Sequence, residues 1–212
     1  MVEILKGLGI TVFLTVACFI TASLIGALTC AGFCSKNKIV RTVCKIYNGL
    51  VIKIPPLVML MLFALVVMGD RNKGTIFIAF VGLSLFVAAN LTGVFCGGVS
   101  SVANGEIEAA RTLGMNKIQT FFHVMLPQII ENIVPVYMSM SVMCMQITSV
   151  ASVIGVGEFL SVTDGISDAV IGIVISISGY FVIGTLGDFV ITRIGKIKHI
   201  KAKDYPGKAE VR

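Results

Sequence analysis

The sequence predicts an all-α integral membrane protein of about five transmembrane helices, with its N-terminus outside and its C-terminus cytosolic. Three observations carry that expectation: a charge deficit, charge-free runs of membrane-crossing length, and basic residues confined to alternate loops. Of 212 residues, 56% are hydrophobic and 13% charged, and the mean hydropathy is +0.97. A soluble domain carries about 25% charged residues, so about half the expected charge is missing. Lipid covering most of the exterior accounts for the deficit, because apolar side chains then need no polar shell.

The charge-free runs are residues 7–33, 54–69, 74–105, 132–157 and 169–187. Each reaches or approaches the ~20 apolar residues needed to cross a ~30 Å hydrocarbon core. The second is the shortest and has to borrow residues 47–53, which leaves its start open. The first run is longer than the ~7–15-residue apolar region of a signal peptide, and its positive charges follow it. It is expected to remain as a span.

The net charge is +6, and its placement speaks against a nucleic-acid partner. Lys36, Lys38, Arg41 and Lys45 follow the first span, and Arg111 and Lys117 lie between the third and fourth. Arg193, Lys196, Lys198, Lys201, Lys203, Lys208 and Arg212 follow the fifth. The alternate loops hold only Lys6, Arg71 and Lys73, and residues 155–168 hold none. This is the positive-inside pattern, with the basic tail (about 194–212) facing anionic lipid headgroups. The whole chain, 1–212, reads as one transmembrane domain with a single substantial polar insert at about 100–128.

Within the spans, Ala89, Gly93, Gly97 and Ser101 recur every fourth residue. Such a face favours close helix packing and could also serve a symmetric or pseudo-symmetric dimer. Pro55 and Pro56 cannot both lie inside an unbroken helix. The pair either opens span two near the membrane surface or marks a broken helix along a pathway. The six cysteines, Cys18, Cys30, Cys34, Cys44, Cys96 and Cys144, show no metal-ligand spacing and read as reduced packing residues. Two distant histidines, His123 and His199, do not make a metal site. Glu131 and Asp188 fall near the cytosolic ends of spans four and five, as boundary residues.

The insert has helix punctuation. Asn104 suits an N-cap, Glu106 and Glu108 the first turn, and Gly114 the left-handed residue that closes a helix. A short helix at about 105–113 follows. Asn116 with Gln119 forms a second capping box, and Pro127 is expected to bend or restart the chain after Leu126. Ala109 and Ala110 leave the backbone open to a partner and Glu108 offers it a charge, so the helix reads either as a docking element or as an ordinary connecting loop packed on its own bundle.

The run Glu108-Ala109-Ala110, then Gly114, then Leu126-Pro127 resembles the EAA signature of ABC importer permeases, although Val124 stands where that family usually has isoleucine. In the family this loop is the coupling helix seated in a groove of the cytosolic ATPase. The chain looks most like the polar amino acid branch, which has five spans and the type I importer permease fold. The segment from Gly105 to Gly114, with Leu126-Pro127-Gln128, and the phrase from Thr148 to Val156 read nearly in step with that branch. The resemblance implies a cytosolic ATPase partner, a second permease subunit (the same or a related chain) and an extracellular solute-binding protein. It also implies a multi-pass place in a bacterial plasma membrane and no cofactor beyond the ATP held by the partner.

There are departures. Lys53-Ile54-Pro55-Pro56 replaces an Arg-Gly-Thr-Pro phrase, Gly93 and Cys96 replace a Glu and an Arg, and Gln146-Ile147 replaces Lys-Asp. The chain has no GxxxxGK[ST] phosphate loop, so it is expected to hydrolyse no ATP itself. The alternative is a secondary transporter or channel driven by an ion gradient, which calls for charged groups at the midplane or an inverted repeat. The midplane regions read as nearly charge-free. Pro55, Pro56, Asn90, Thr148 and Ser149 are the candidate pathway-lining residues, being polar or helix-breaking positions within the spans.

Overall fold

The computed structural model describes residues 2–67, 74–157, 159–160, 178–179 and 185. Helix α1 (Val2–Phe33) is followed by α2 (Lys38–Val51), α3 (Pro56–Val67) and α4 (Thr75–Ser100). Next come α5 (Asn104–Thr112), α6 (Lys117–Thr120), a π-helical turn (Phe121–Met125), α7 (Leu126–Thr148) and a 3₁₀ segment (Ser149–Ile154). Apart from residues 178–179 and 185, the expected fifth span lies outside the described residues, as do the basic tail and the loop around Asp70.

Contacts between α1 and α4 fix their relative direction. Cys18 Sγ lies 3.6 Å from the Phe80 carbonyl, Thr21 bonds Ser84 at 3.0 Å, and Thr92 approaches the Gly26 carbonyl at 3.5 Å. Both chain positions rise together, so the two helices are parallel. They touch closely at Gly26, where a Cβ would lie 3.1 Å from the Ala88 carbonyl oxygen and from Leu91 Cβ. Helix α7 runs the other way: its Tyr137 hydroxyl meets Ser23 at 2.8 Å, and Cys144 Sγ meets the Thr15 carbonyl at 3.8 Å. Helix α4 packs against α1, α2, α3 and α7, and twelve of its residues are buried, including Leu83, Val87 and Leu91. It is the central pillar around which the core forms.

Because α1 and α4 are parallel, residues 34–74 must return across the membrane. They do so as two helices, α2 and α3, bent by 109°. The expected second span therefore starts much earlier, at Lys38, and Lys38, Arg41 and Lys45 belong to it and not to a loop. Two local features explain the start. The Asn37 side chain caps α2 by accepting from the Ile39 amide at 2.9 Å. Ile39, Val43, Ile46 and Leu50 form an exposed apolar stripe at helical spacing. With this bent pair counted as one span, the described residues hold up to four membrane-crossing units.

The break settles which reading of the proline pair holds. Helix α2 ends against the middle of α4, with the Tyr47 hydroxyl donating to the Leu85 carbonyl and the Asn48 amide to the Ala89 carbonyl, both at 2.7 Å. Pro56 opens α3, whose Leu60 packs on Gly82. The prolines thus sit inside the crossing and not at its surface. The break keeps its own backbone satisfied, since the amides of Ile52, Lys53 and Ile54 donate to the carbonyls of Asn48, Leu50 and Val51.

Candidate functional site

The insert between α4 and α7 is ordered by local chemistry. Helix α5 begins at Asn104, one residue before the expected start. Ala103 is the cap residue and no side chain caps the end, so Asn104 does not play the expected role. Glu106 lies in the first turn, whereas Glu108 falls in the second. At the other end Gly114 has φ +80°, with its amide donating to Arg111 O at 3.0 Å and the Met115 amide to Ala110 O at 3.1 Å. This pair of bonds is the Schellman closure that glycine permits. Two residues on, Asn116 and Gln119 make the reciprocal capping box, each bond 2.9 Å.

Pro127 does not restart the chain. One continuous helix runs from Lys117 to Ile154, and the π-turn lets the Leu126 amide reach back to the Phe121 carbonyl. Widening the ladder by one residue accommodates the amide that Pro127 lacks, and Pro127 falls in the first turn of α7. Exposed His123 places Nδ1 3.1 Å from the Gln119 carbonyl.

The segment presents one face and anchors the other. Ala110 is 4% exposed, packed on its own chain, so only Ala109 of the alanine pair is open to a partner. Glu106 accepts a hydrogen bond from the Gln128 side chain, which ties the first turn of α5 to the start of α7. Sequence reasoning missed that tie, although Gln128 stood in the recognised Leu-Pro-Gln phrase. Glu108 is exposed and has no hydrogen-bond or ion-pair partner among the described residues. Leu113 and Ile118, 81% and 69% exposed, flank a concavity of about 330 Å³ lined by Leu113, Gly114, Met115, Gln119 and His123. Leu126 is half-buried and Pro127 exposed. The element thus presents an exposed carboxylate, apolar knobs and a hollow, braced from behind by a spanning helix.

The candidate pathway residues do not converge within the chain. Thr148 is fully buried and its hydroxyl donates to the Met145 carbonyl at 2.6 Å, so in this conformation it faces the core. Ser149 bonds the Gln146 carbonyl at 2.7 Å, and Asn90 the Phe86 carbonyl at 3.0 Å, both half-buried. Pro55 is exposed and Pro56 half-buried at the break. The small-residue stripe also behaves differently from expectation. A Cβ on Gly93 or Gly97 would meet nothing within 4 Å, whereas one on Gly98 would lie 2.3 Å from Ile133 Cγ2. Close packing of α4 on α7 is thus borne by Gly98, and Gly93 and Gly97 line an open groove of about 250 Å³ with Ser101 and Asn132.

These features define a polytopic membrane protein with a braced helical element between its spans. Over residues 22–196 the chain matches the family of binding-protein-dependent transport system inner membrane components, and it belongs to that family. It is the permease component of such a transport system, and not an enzyme.

Relatives are of the same kind. The chain is 33% identical to the probable amino-acid permease protein YxeN of Bacillus subtilis over 164 residues, 74% of this chain and 72% of that protein. It is 27% identical to the glutamate/aspartate import permease protein GltK of Escherichia coli over 174 residues, 78% of each. Among solved structures, an amino acid ABC transporter crystallised with histidines superposes with a TM-score of 0.85 at 23% identity, covering 92% of this chain and 93% of that one. A subunit of the methionine ABC transporter MetNI superposes with a TM-score of 0.78 at 18% identity, covering 93% and 96%. At these identities the likeness is one of fold.

Proposed function

We propose that this chain forms half of the translocation pathway of an ATP-driven importer in a bacterial plasma membrane, and that the solute is an amino acid or a related small polar compound. The observation that carries the reading is the geometry of α5–α6: a glycine-closed helix, an exposed Glu108 and a hollow beside Gly114, fixed to α7 through Gln128. The names of the relatives support the solute class. A cytosolic ATPase subunit docks on Glu108, Ala109, Gly114 and the flanking knobs, with Ala110, Leu126 and Pro127 shaping the element from behind. ATP is bound by that partner, and the chain itself carries no cofactor. A second permease subunit completes the pathway, and an extracellular solute-binding protein delivers the solute.

Directional movement follows from the contact. A span bundle alone has no source of differential free energy between its two states, so the bias must enter through nucleotide binding at the docking helix. The test is ATP hydrolysis by the reconstituted permease and its ATPase, comparing wild type with Glu108→Lys and Gly114→Pro. Proline cannot adopt φ +80° and deletes the amide bonded to Arg111, so the helix end should unravel. Both variants are expected to bind less ATPase and to lose stimulated hydrolysis while the spans stay folded. Unchanged docking and transport in both would refute the coupling role and favour a gradient-driven carrier.

A further inference from the structure

The α2–α3 break does more than reorient a helix: it carries a lysine to the middle of the membrane. Sequence alone leaves Lys53 at the edge of the charge-free run, in the stretch 47–53 that span two borrows. The contacts of its neighbours place it elsewhere. Five residues before it, Asn48 bonds the carbonyl of Ala89; seven residues after it, Leu60 packs on Gly82. Lys53 therefore sits at a level between Gly82 and Ala89 on α4, which spans Thr75–Ser100. Gly82 is about 10 Å from the outer end of α4 and Ala89 about 16 Å from the cytosolic end, at 1.5 Å per residue. A lysine stem extends about 6 Å, so from the middle of that interval the ammonium reaches neither headgroup layer.

A cation at that depth is kept out of lipid in known membrane proteins, by a counter-charge or a wet cavity. Lys53 is exposed on this chain and has no hydrogen-bond or ion-pair partner among the described residues. Among the described residues no acid lies near it either. Helices α2, α3 and α4 contain no Asp or Glu, and the single acid of α7, Glu131, is exposed at its cytosolic end. The runs 7–33 and 169–187 are uncharged. The described residues thus offer Lys53 no counter-charge of the chain's own.

We infer that Lys53 is a recognition group of the translocation pathway, its ammonium meeting the carboxylate of the passing solute. This rests on the reading of the chain as an importer permease for an amino-acid-type solute. It also gives the proline break a purpose. An unwound segment at mid-depth points a charged side chain away from its own bundle, which an unbroken span packed on α4 could not do without pairing that charge.

The experiment uses the full transporter in proteoliposomes, with the twenty radiolabelled L-amino acids as probes of uptake. The best-transported one is then bound to the permease–ATPase complex without binding protein, against its own methyl ester as competitor. Lys53→Met should lower uptake at least tenfold and abolish the preference for free acid over ester, with ATPase docking and basal hydrolysis unchanged. Lys53→Arg should retain uptake within about threefold, since it keeps the charge. Normal uptake by Lys53→Met overturns the inference alone, as does a loss of uptake that leaves the acid preference intact. Separation of the two permease subunits in Lys53→Met also overturns it, by making the lysine an intersubunit ion-pair partner. Absence of ATP-dependent uptake of any amino acid by the wild type defeats the importer reading itself, and this inference with it.

Discussion

Two adjacent glycines in α4 should respond to the same substitution with opposite signs. A Cβ on Gly98 would lie 2.3 Å from Ile133 Cγ2 and 3.2 Å from Ile129 Cγ2. Apolar carbons rest about 3.5–4.0 Å apart, so the first contact is short by more than 1 Å. The offending atom is a branch methyl whose χ1 is held by the helix, so it cannot swing aside, and α4 and α7 must separate. Overpacking of that kind costs about 1–3 kcal/mol. On Gly97, in the last turn of α4, the same Cβ meets nothing within 4 Å, and replacing a helical glycine by alanine gains up to about 0.5–1 kcal/mol.

Gly98→Ala should therefore lower Tm, by about 2–4 °C per kcal/mol for a chain of this size, while Gly97→Ala leaves it level or raises it. The assay is thermal unfolding of the purified subunit in detergent, followed by a thiol-reactive dye. It is suited to a protein with no Trp and with Cys18 and Cys144 buried at 0% and 1% exposure. Ile133→Ala should restore part of the loss in the Gly98→Ala background. The packing argument fails if Gly97→Ala is as damaging as Gly98→Ala, or if Ile133→Ala recovers nothing.

Three other outcomes are expected. Gly114→Ala forces an L-residue to φ +80° at a cost of about 1–2 kcal/mol. ATPase affinity should fall at least about fivefold, with Gly114→Asn milder because asparagine tolerates that conformation; equal effects from the two would discredit the conformational explanation. Cys30 and Cys96 bring their sulfurs to 2.7 Å across α1 and α4, so a mild thiol oxidant should remove two alkylatable thiols from one chain and lose that effect in Cys96→Ser. Absence of cross-linking would contradict the parallel register of the two helices. Asn116→Ala deletes a cap worth about 0.5–2 kcal/mol, and amide exchange over residues 117–125 should accelerate; unchanged exchange would show the capping box to be dispensable.

Among the described residues, the nearly charge-free midplane expected from the sequence has an exception, and it arose from a boundary. Hydropathy left Lys53 in the stretch 47–53 that span two has to borrow, because the apolar run itself starts after it. The signal for a different start was present, in the Asn37 cap and the stripe Ile39, Val43, Ile46 and Leu50. Its basic residues, Lys38, Arg41 and Lys45, hid it from a hydropathy reading. A midplane charge was also the mark expected of a gradient-driven carrier. Lys53 removes that distinction, and membership of the binding-protein-dependent family decides the class in its place.

What the sequence determined by itself is what local chemistry encodes. Charge-free length set the first and third spans to within about five residues, whereas the fourth helix begins at Lys117, well before its charge-free run. Backbone preference fixed the end of α5 at Gly114 and the start of α6 at Asn116, because a positive φ and a reciprocal cap depend on residues only a few positions apart. The tertiary structure decided depth and facing. Gly98 and not Gly97 bears the α4–α7 contact, Ala110 turns inward while Ala109 stays open, Thr148 is closed into the core, and Lys53 rises to mid-membrane. Each of these depends on how a helix is rotated and offset against partners dozens of residues away, and a periodicity along one helix carries no record of that offset.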